Sequence, residues 1–225
     1  APDGYGQVLW RWMGEDDLLR VIDDVQEHYS VDDQHIVLGG LSNGGVGAYA
    51  VGMRHAYRFS MVTAIAGCPS WLLYTGGSPT DAERTAMMMQ SGWDLVDNST
   101  DTDFRFYHGT VDPGPMRPAF VHAFEEHMNE IGIPPQITWY EMGHDLLYVV
   151  HRHGRFYTNM LQPVRDAGEG AERLGDRGVG DAGGAGCGCC GCGVLAVVGS
   201  GDQRLGGERI VGVRLDAAAR TGHVA

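Results

Sequence analysis

The chain has 225 residues and a formal charge of −13 at neutral pH, and all 16 of its basic side chains are arginines. An acidic chain with scattered arginines repels phosphate backbones, which argues against nucleic acid as a partner, and no run approaches the ~18 apolar residues of a membrane span. All of the aromatic residues precede residue 158 and residues 166–225 are rich in glycine, so composition divides the chain into one domain over 1–165 and a tail with too little to bury to offset its own ordering entropy.

The opening residues Ala1-Pro2-Asp3-Gly4-Tyr5-Gly6 carry turn chemistry, and Trp10 and Trp12 follow, read as core or cleft residues. From Glu15 to about His28 the apolar positions Leu18, Val21, Ile22 and Val25 recur at helical spacing, with Glu15, Asp16 and Asp17 favourable at the helix start. Asp16, Asp17, Asp23 and Asp24 read as a solvated helix face rather than as a site.

After a loop at Tyr29-Ser30-Val31-Asp32-Asp33-Gln34 comes the most informative stretch, His35-Ile36-Val37-Leu38-Gly39-Gly40-Leu41-Ser42-Asn43-Gly44-Gly45. A short apolar run ends in glycines, Ser42 sits in Gly40-x-Ser42-x-Gly44, and Val46 to Val51 read as a buried helix. Strand, sharp turn and helix in that order are the context of a nucleophile elbow, where side chains at Gly40 or Gly44 would crowd the approaching segments.

Ser60 to Gly67 reads as a second buried parallel strand. Residues 69–103 show weak periodicity, with a helix expected near 81–91 and the run Met87-Met88-Met89 read as core filling or the border of an adaptable apolar pocket. Phe104 to His108 is expected as a strand that leaves through Gly109-Thr110-Val111-Asp112. A helix over 117–131 presents Phe120, Val121, Phe124, Met128 and Ile131 on one face, with Gly132 beyond its end. Ile137 to Met142 closes with Gly143-His144-Asp145, and a last helix is expected over about 146–161. Strands alternating with helices predict an α/β fold, a parallel sheet covered on both faces.

In such a sheet reactive groups collect at the carboxyl ends of the strands, and three ends here carry Ser42, Asp112 and His144. Serine needs a base poised near neutral pH, which histidine supplies, and an aspartate holds the imidazole tautomer. Ser42, His144 and Asp112 are therefore the candidate catalytic residues, and the backbone N–H of Asn43 is the candidate oxyanion donor. Among the rivals, His108 is read as structural and His151 and His153 as outward-facing. Asp145 is disfavoured as a direct neighbour of His144, and Asp101 and Asp103 fall at the wrong end of their strand.

The motifs Gly40-Leu41-Ser42-Asn43-Gly44-Gly45, Tyr29-Ser30-Val31-Asp32, His108-Gly109-Thr110-Val111-Asp112 and Gly143-His144-Asp145 resemble the serine esterases of the polyhydroxybutyrate depolymerase and feruloyl esterase group. They are also similar to the catalytic domain of prolyl oligopeptidase-like hydrolases. The resemblance covers about residues 1–162. It implies an α/β-hydrolase that cleaves carboxylic esters of small-molecule or polymeric substrates, without metal or organic cofactor. A prolyl oligopeptidase-like peptidase is the alternative, and a catalytically dead fragment is the competing class.

Two departures bear on this. Asn43 stands where the family commonly has Met or another apolar residue, and only its backbone matters there. The family also has earlier strands and a His-Gly type loop with a second oxyanion donor, so the expectation is an N-terminally truncated hydrolase domain. The compartment, including any signal peptide, is left open. In the tail, Cys187, Cys189, Cys190 and Cys192 lack the spacing of a zinc finger and no histidine lies near, so a disordered or non-native segment is expected, with a linker or thiolate site as alternatives.

Overall fold

Apolar runs too short for buried helices, bounded by glycine or turn residues, form the centre of the molecule. The computed structural model describes residues 10–100, 102–146, 149–150, 194–200 and 209–215. Four strands lie parallel: β1 (Ile36–Leu41), β2 (Met61–Ile65), β3 (Asp103–Gly109) and β4 (Gln136–Tyr140). β5 (Val194–Ser200) and β6 (Arg209–Leu215) complete a sheet of order β4-β3-β2-β1-β5-β6, with β5 antiparallel to β1 and to β6.

β1 and β2 are buried along almost their whole length, as strands covered on both faces must be. Side chains alternate between two clusters with the period of two that a strand imposes. Ile36, Leu38, Val62, Ala64, Phe104 and Phe106 face one core, which α1 (Met13–His28), α2 (Asn43–Arg54) and α5 (Pro118–Glu130) cover through residues such as Leu18, Tyr49 and Phe124. Leu41, Ile65, Tyr107 and Tyr140 face the other, against Leu146 and Val150. The first core is aromatic at its centre: Tyr49 stacks on Phe106 at 4.8 Å between ring centroids, and Phe124 meets both edge-on.

The helices expected before residue 132 and the four expected parallel strands are present with shifted ends. Residues 69–103 hold more structure than their weak periodicity suggests: α3 (Trp71–Thr75), α4 (Asp81–Met89) and a 3₁₀ segment over Trp93–Ser99. α4 starts with a capping box between Thr80 and Glu83 and buries none of its residues. Met87 reaches the cluster around Trp71, while Met88 and Met89 are exposed, so core filling describes only the first of the three methionines. Trp10 is buried, but Trp12 is 54% exposed.

The tail departs from expectation in two places. Val194–Ser200 and Arg209–Leu215 are strands, because residues such as Val and Ile suit a pleated surface without any aromatic. The remainder of the tail, with the four cysteines, lies outside the described residues, as does most of the helix expected over 146–161. No described helix is long and apolar enough to cross a membrane.

Candidate active site

The turn from β1 into α2 is as tight as the glycine spacing demands. A Cβ on Gly40 would lie 2.0 Å from the Gly44 carbonyl oxygen, and one on Gly45 would lie 2.6 Å from that of Ile65. Ser42 sits between them with φ 59°, in the left-handed region that costs a non-glycine residue energy. Its backbone N–H donates to Ile65 O at 2.9 Å, tying the turn to the end of the neighbouring strand. The strained backbone lifts the hydroxyl off the sheet end while Ser42 stays 9% exposed.

The two partners arrive by extending the β3–β4 ladder beyond its strands. Thr110 N–H donates to Tyr140 O at 2.8 Å and Val111 N–H to Met142 O at 3.2 Å. Gly109 permits this contact, since a Cβ there would meet the carbonyl oxygens of Met142 and Gly143 at 2.3 and 2.5 Å. The loops carrying Asp112 and His144 are thereby held backbone to backbone.

Side chains from the three strand ends meet. His144 Nε2 lies 2.7 Å from Ser42 Oγ, and His144 Nδ1 lies 2.9 and 3.0 Å from the two Asp112 carboxylate oxygens. A carboxylate only accepts, so the imidazole proton belongs on Nδ1 and Nε2 accepts from the serine hydroxyl. The Asp112 side chain is fully buried and the His144 side chain is 40% exposed. Burial raises the Asp112 carboxyl above its ordinary value, and the hydrogen bond and charge of His144 draw it partly back.

The Asn43 peptide opens α2, where the first backbone N–H groups have no intrahelical partner and the positive end of the helix dipole lies. Val46 N–H takes the Ser42 carbonyl, which begins the helical ladder. The Asn43 side chain is itself held, accepting from the Tyr74 hydroxyl at 2.8 Å. Tyr74 belongs to an apolar cluster beside the elbow that includes Val46, Cys68, Trp71, Met87, Met116 and Phe120. Sequence reading missed this wall, because α3 is too short to show periodicity.

The rivals fall elsewhere. His108 is buried and bonded to the Met116 carbonyl, Asp103 pairs with Arg105, and Asp145 is exposed. Asp101, His151 and His153 lie outside the described residues. Cys68 is buried with its thiol pushed up to about 11, an inert group rather than a nucleophile. Among the described residues no three His, Cys, Asp or Glu side chains are grouped to hold a metal ion.

A parallel sheet with covered faces and a serine on a strained strand-to-helix turn define the α/β-hydrolase fold. Within it, residues 6–108 match the model of the prolyl oligopeptidase family. No curated protein gives a significant sequence match.

Solved structures of similar fold include Porphyromonas gingivalis dipeptidyl peptidase 4, with TM-score 0.55, 20% identity, and coverage of 66% of this chain and 22% of that one. Pyrococcus horikoshii acylaminoacyl peptidase matches with TM-score 0.54 and 15% identity over 69% of this chain and 28% of that one. Staphylococcus aureus S-formylglutathione hydrolase matches with TM-score 0.50 and 18% identity over 65% of this chain and 60% of that one. The chain thus spans less than two thirds of each of these proteins.

Proposed function

We propose that the chain is a serine hydrolase that cleaves carboxylic esters through an acyl-enzyme intermediate. The observation that carries this reading is the continuous hydrogen-bonded line from Ser42 Oγ through the His144 imidazole to Asp112. In the first half-reaction His144 Nε2 takes the hydroxyl proton as Ser42 Oγ attacks the ester carbonyl. Asp112 keeps the Nδ1 tautomer and offsets the imidazolium charge, and the Asn43 N–H donates to the developing oxyanion. His144 then passes its proton to the departing alcohol. In the second half-reaction water repeats the attack on the acyl-serine, with His144 again the base, and Ser42 is regenerated.

A second reading, a serine peptidase, is favoured by the family match over residues 6–108. It uses the same residues with an amine as the leaving group. One experiment separates the two and tests both. In the full chain a fluorophosphonate probe is expected to label Ser42, with labelling abolished by Ser42→Ala and by His144→Ala and mostly kept by Asp145→Asn. Turnover of p-nitrophenyl acetate without turnover of aminoacyl p-nitroanilides supports the ester reading, and the reverse supports the peptidase. Strong labelling of the Ser42→Ala protein would sink both. Labelling of the parent without turnover of either substrate class would favour the dead-enzyme reading.

A further inference from the structure

The mechanism above leaves one buried titratable group at the site unused. His108 is the penultimate residue of β3, and its side chain is 1% exposed. Its Nε2 lies 2.8 Å from the Met116 carbonyl oxygen, which can only accept, so the ring proton sits on Nε2. The same nitrogen is 4.0 Å from Asp112 Oδ2. Asp112 is therefore flanked by two imidazoles, His144 bonded to its carboxylate and His108 at contact distance.

The loop that carries Asp112 needs such a support. Before Asp112 it is secured by the Val111 bond to Met142, and Asp112 N–H reaches Gly109 O at 3.4 Å. Beyond Asp112 it turns through Pro113 and the 3₁₀ segment Gly114–Met116, with Gly114 at φ 69°. The His108 bond closes this far side, joining the end of the loop back onto the strand from which it left. Trp139, paired with His108 across the β3–β4 ladder, meets the imidazole edge-on with ring centroids 5.5 Å apart and stacks with His122 at 4.0 Å.

We infer that His108 is a positioning residue for Asp112: its Nε2–H···Met116 bond sets the loop, and so the angle at which the carboxylate holds His144. This rests on the triad reading and extends it by one residue. Burial lowers the His108 pKa, more than its bond to Met116 and the charge of Asp112 raise it. The ring therefore adds no competing charge beside Asp112 at neutral pH.

Two variants of the full chain separate this role from simple core filling. His108→Phe keeps the bulk and the edge contact with Trp139 but removes the donor. His108→Gln places an amide N–H where Nε2–H was. Three quantities are read: melting temperature, the rate of fluorophosphonate labelling at Ser42, and the far-downfield proton NMR resonance of His144 Nδ1–H.

His108→Phe is expected to melt cooperatively yet lose the resonance and label on the order of 10²-fold more slowly, the scale of a small misplacement of a catalytic group. His108→Gln is expected to recover the resonance and most of the rate. A Phe variant with the parent's resonance and rate would overturn the inference. So would a Gln variant that melts like the parent but has lost both. If the parent itself fails to label at Ser42, the triad reading falls, while the resonance in the two variants still reports whether His108 holds the Asp112–His144 pair.

Discussion

Asp112 shows how a single residue can trade stability for geometry. Its fully buried carboxylate is held by His144 but still titrates above its ordinary 3.8. Between that value and the raised one the folded chain binds more protons than the unfolded chain. Stability contributed by this group therefore falls as pH rises through the window and stays lower above it. Asp112→Asn removes this pH-dependent contribution. Its melting temperature relative to the parent is expected to be higher at neutral pH than below pH 3.8, while fluorophosphonate labelling is lost. Thermal melts of both proteins across that range check the sign. An Asn variant that gains nothing on going to neutral pH would mean that the bond to His144 outweighs burial.

At the scale of elements, stability and exposure divide the helices sharply. α5 inserts Phe124 between Tyr49, Phe106 and Trp93, and the residue has no exposed surface. Phe124→Ala is expected to cost about 3–5 kcal/mol, through lost transfer energy and the cavity left among those rings. α4 lies at the other extreme, with nothing buried and its start held by the Thr80–Glu83 capping box. Thr80→Ala removes a cap worth about 0.5–2 kcal/mol to the helix. Because α4 contributes so little to the core, its local opening should increase while global unfolding hardly changes. Hydrogen exchange of residues 81–89 against a denaturant melt distinguishes the two, and a melt shifted as far as that of Phe124→Ala would show α4 coupled to the core.

For the molecule as a whole, the second edge of β1 is decisive. The strand that delivers Ser42 pairs on one side with β2 and on the other with β5, antiparallel, from Ile36 opposite Val198 to Gly40 opposite Val194. Cutting the chain after Arg165 removes β5 and β6 and leaves β1 with an unpaired edge, a template for association with other chains. The shortened protein is expected to melt several degrees lower and to elute as concentration-dependent oligomers on size exclusion. An unchanged melting temperature and a monomeric profile would show that the domain ends by residue 165 and that the hairpin adds nothing to it.

Much of the candidate site could be read from the sequence because its parts are local. The elbow is visible in Gly40, Ser42 and Gly44, since a Cβ on Gly40 would lie 2.0 Å from the Gly44 carbonyl oxygen, and that need is met within five residues. Alternating apolar runs and helical periods likewise specified a parallel sheet, as each element must bury a face whatever its partners are. Pairing across long separations was not legible. That Gly109 lets the Asp112 and His144 loops touch depends on a contact between backbone segments more than thirty residues apart, which leaves no periodic mark. The Tyr74 hydroxyl on Asn43 and the His108 bond behind Asp112 are likewise products of packing, since a five-residue helix and a single histidine have no sequence signature. Composition judged the tail by its lack of aromatics, yet short runs of Val, Leu and Ile suffice for strands once a buried neighbour offers unpaired backbone groups. Local backbone sterics and burial periods could thus be read from the residues themselves, whereas the meeting of distant loops and the partner of β1 were decided only in the folded sheet.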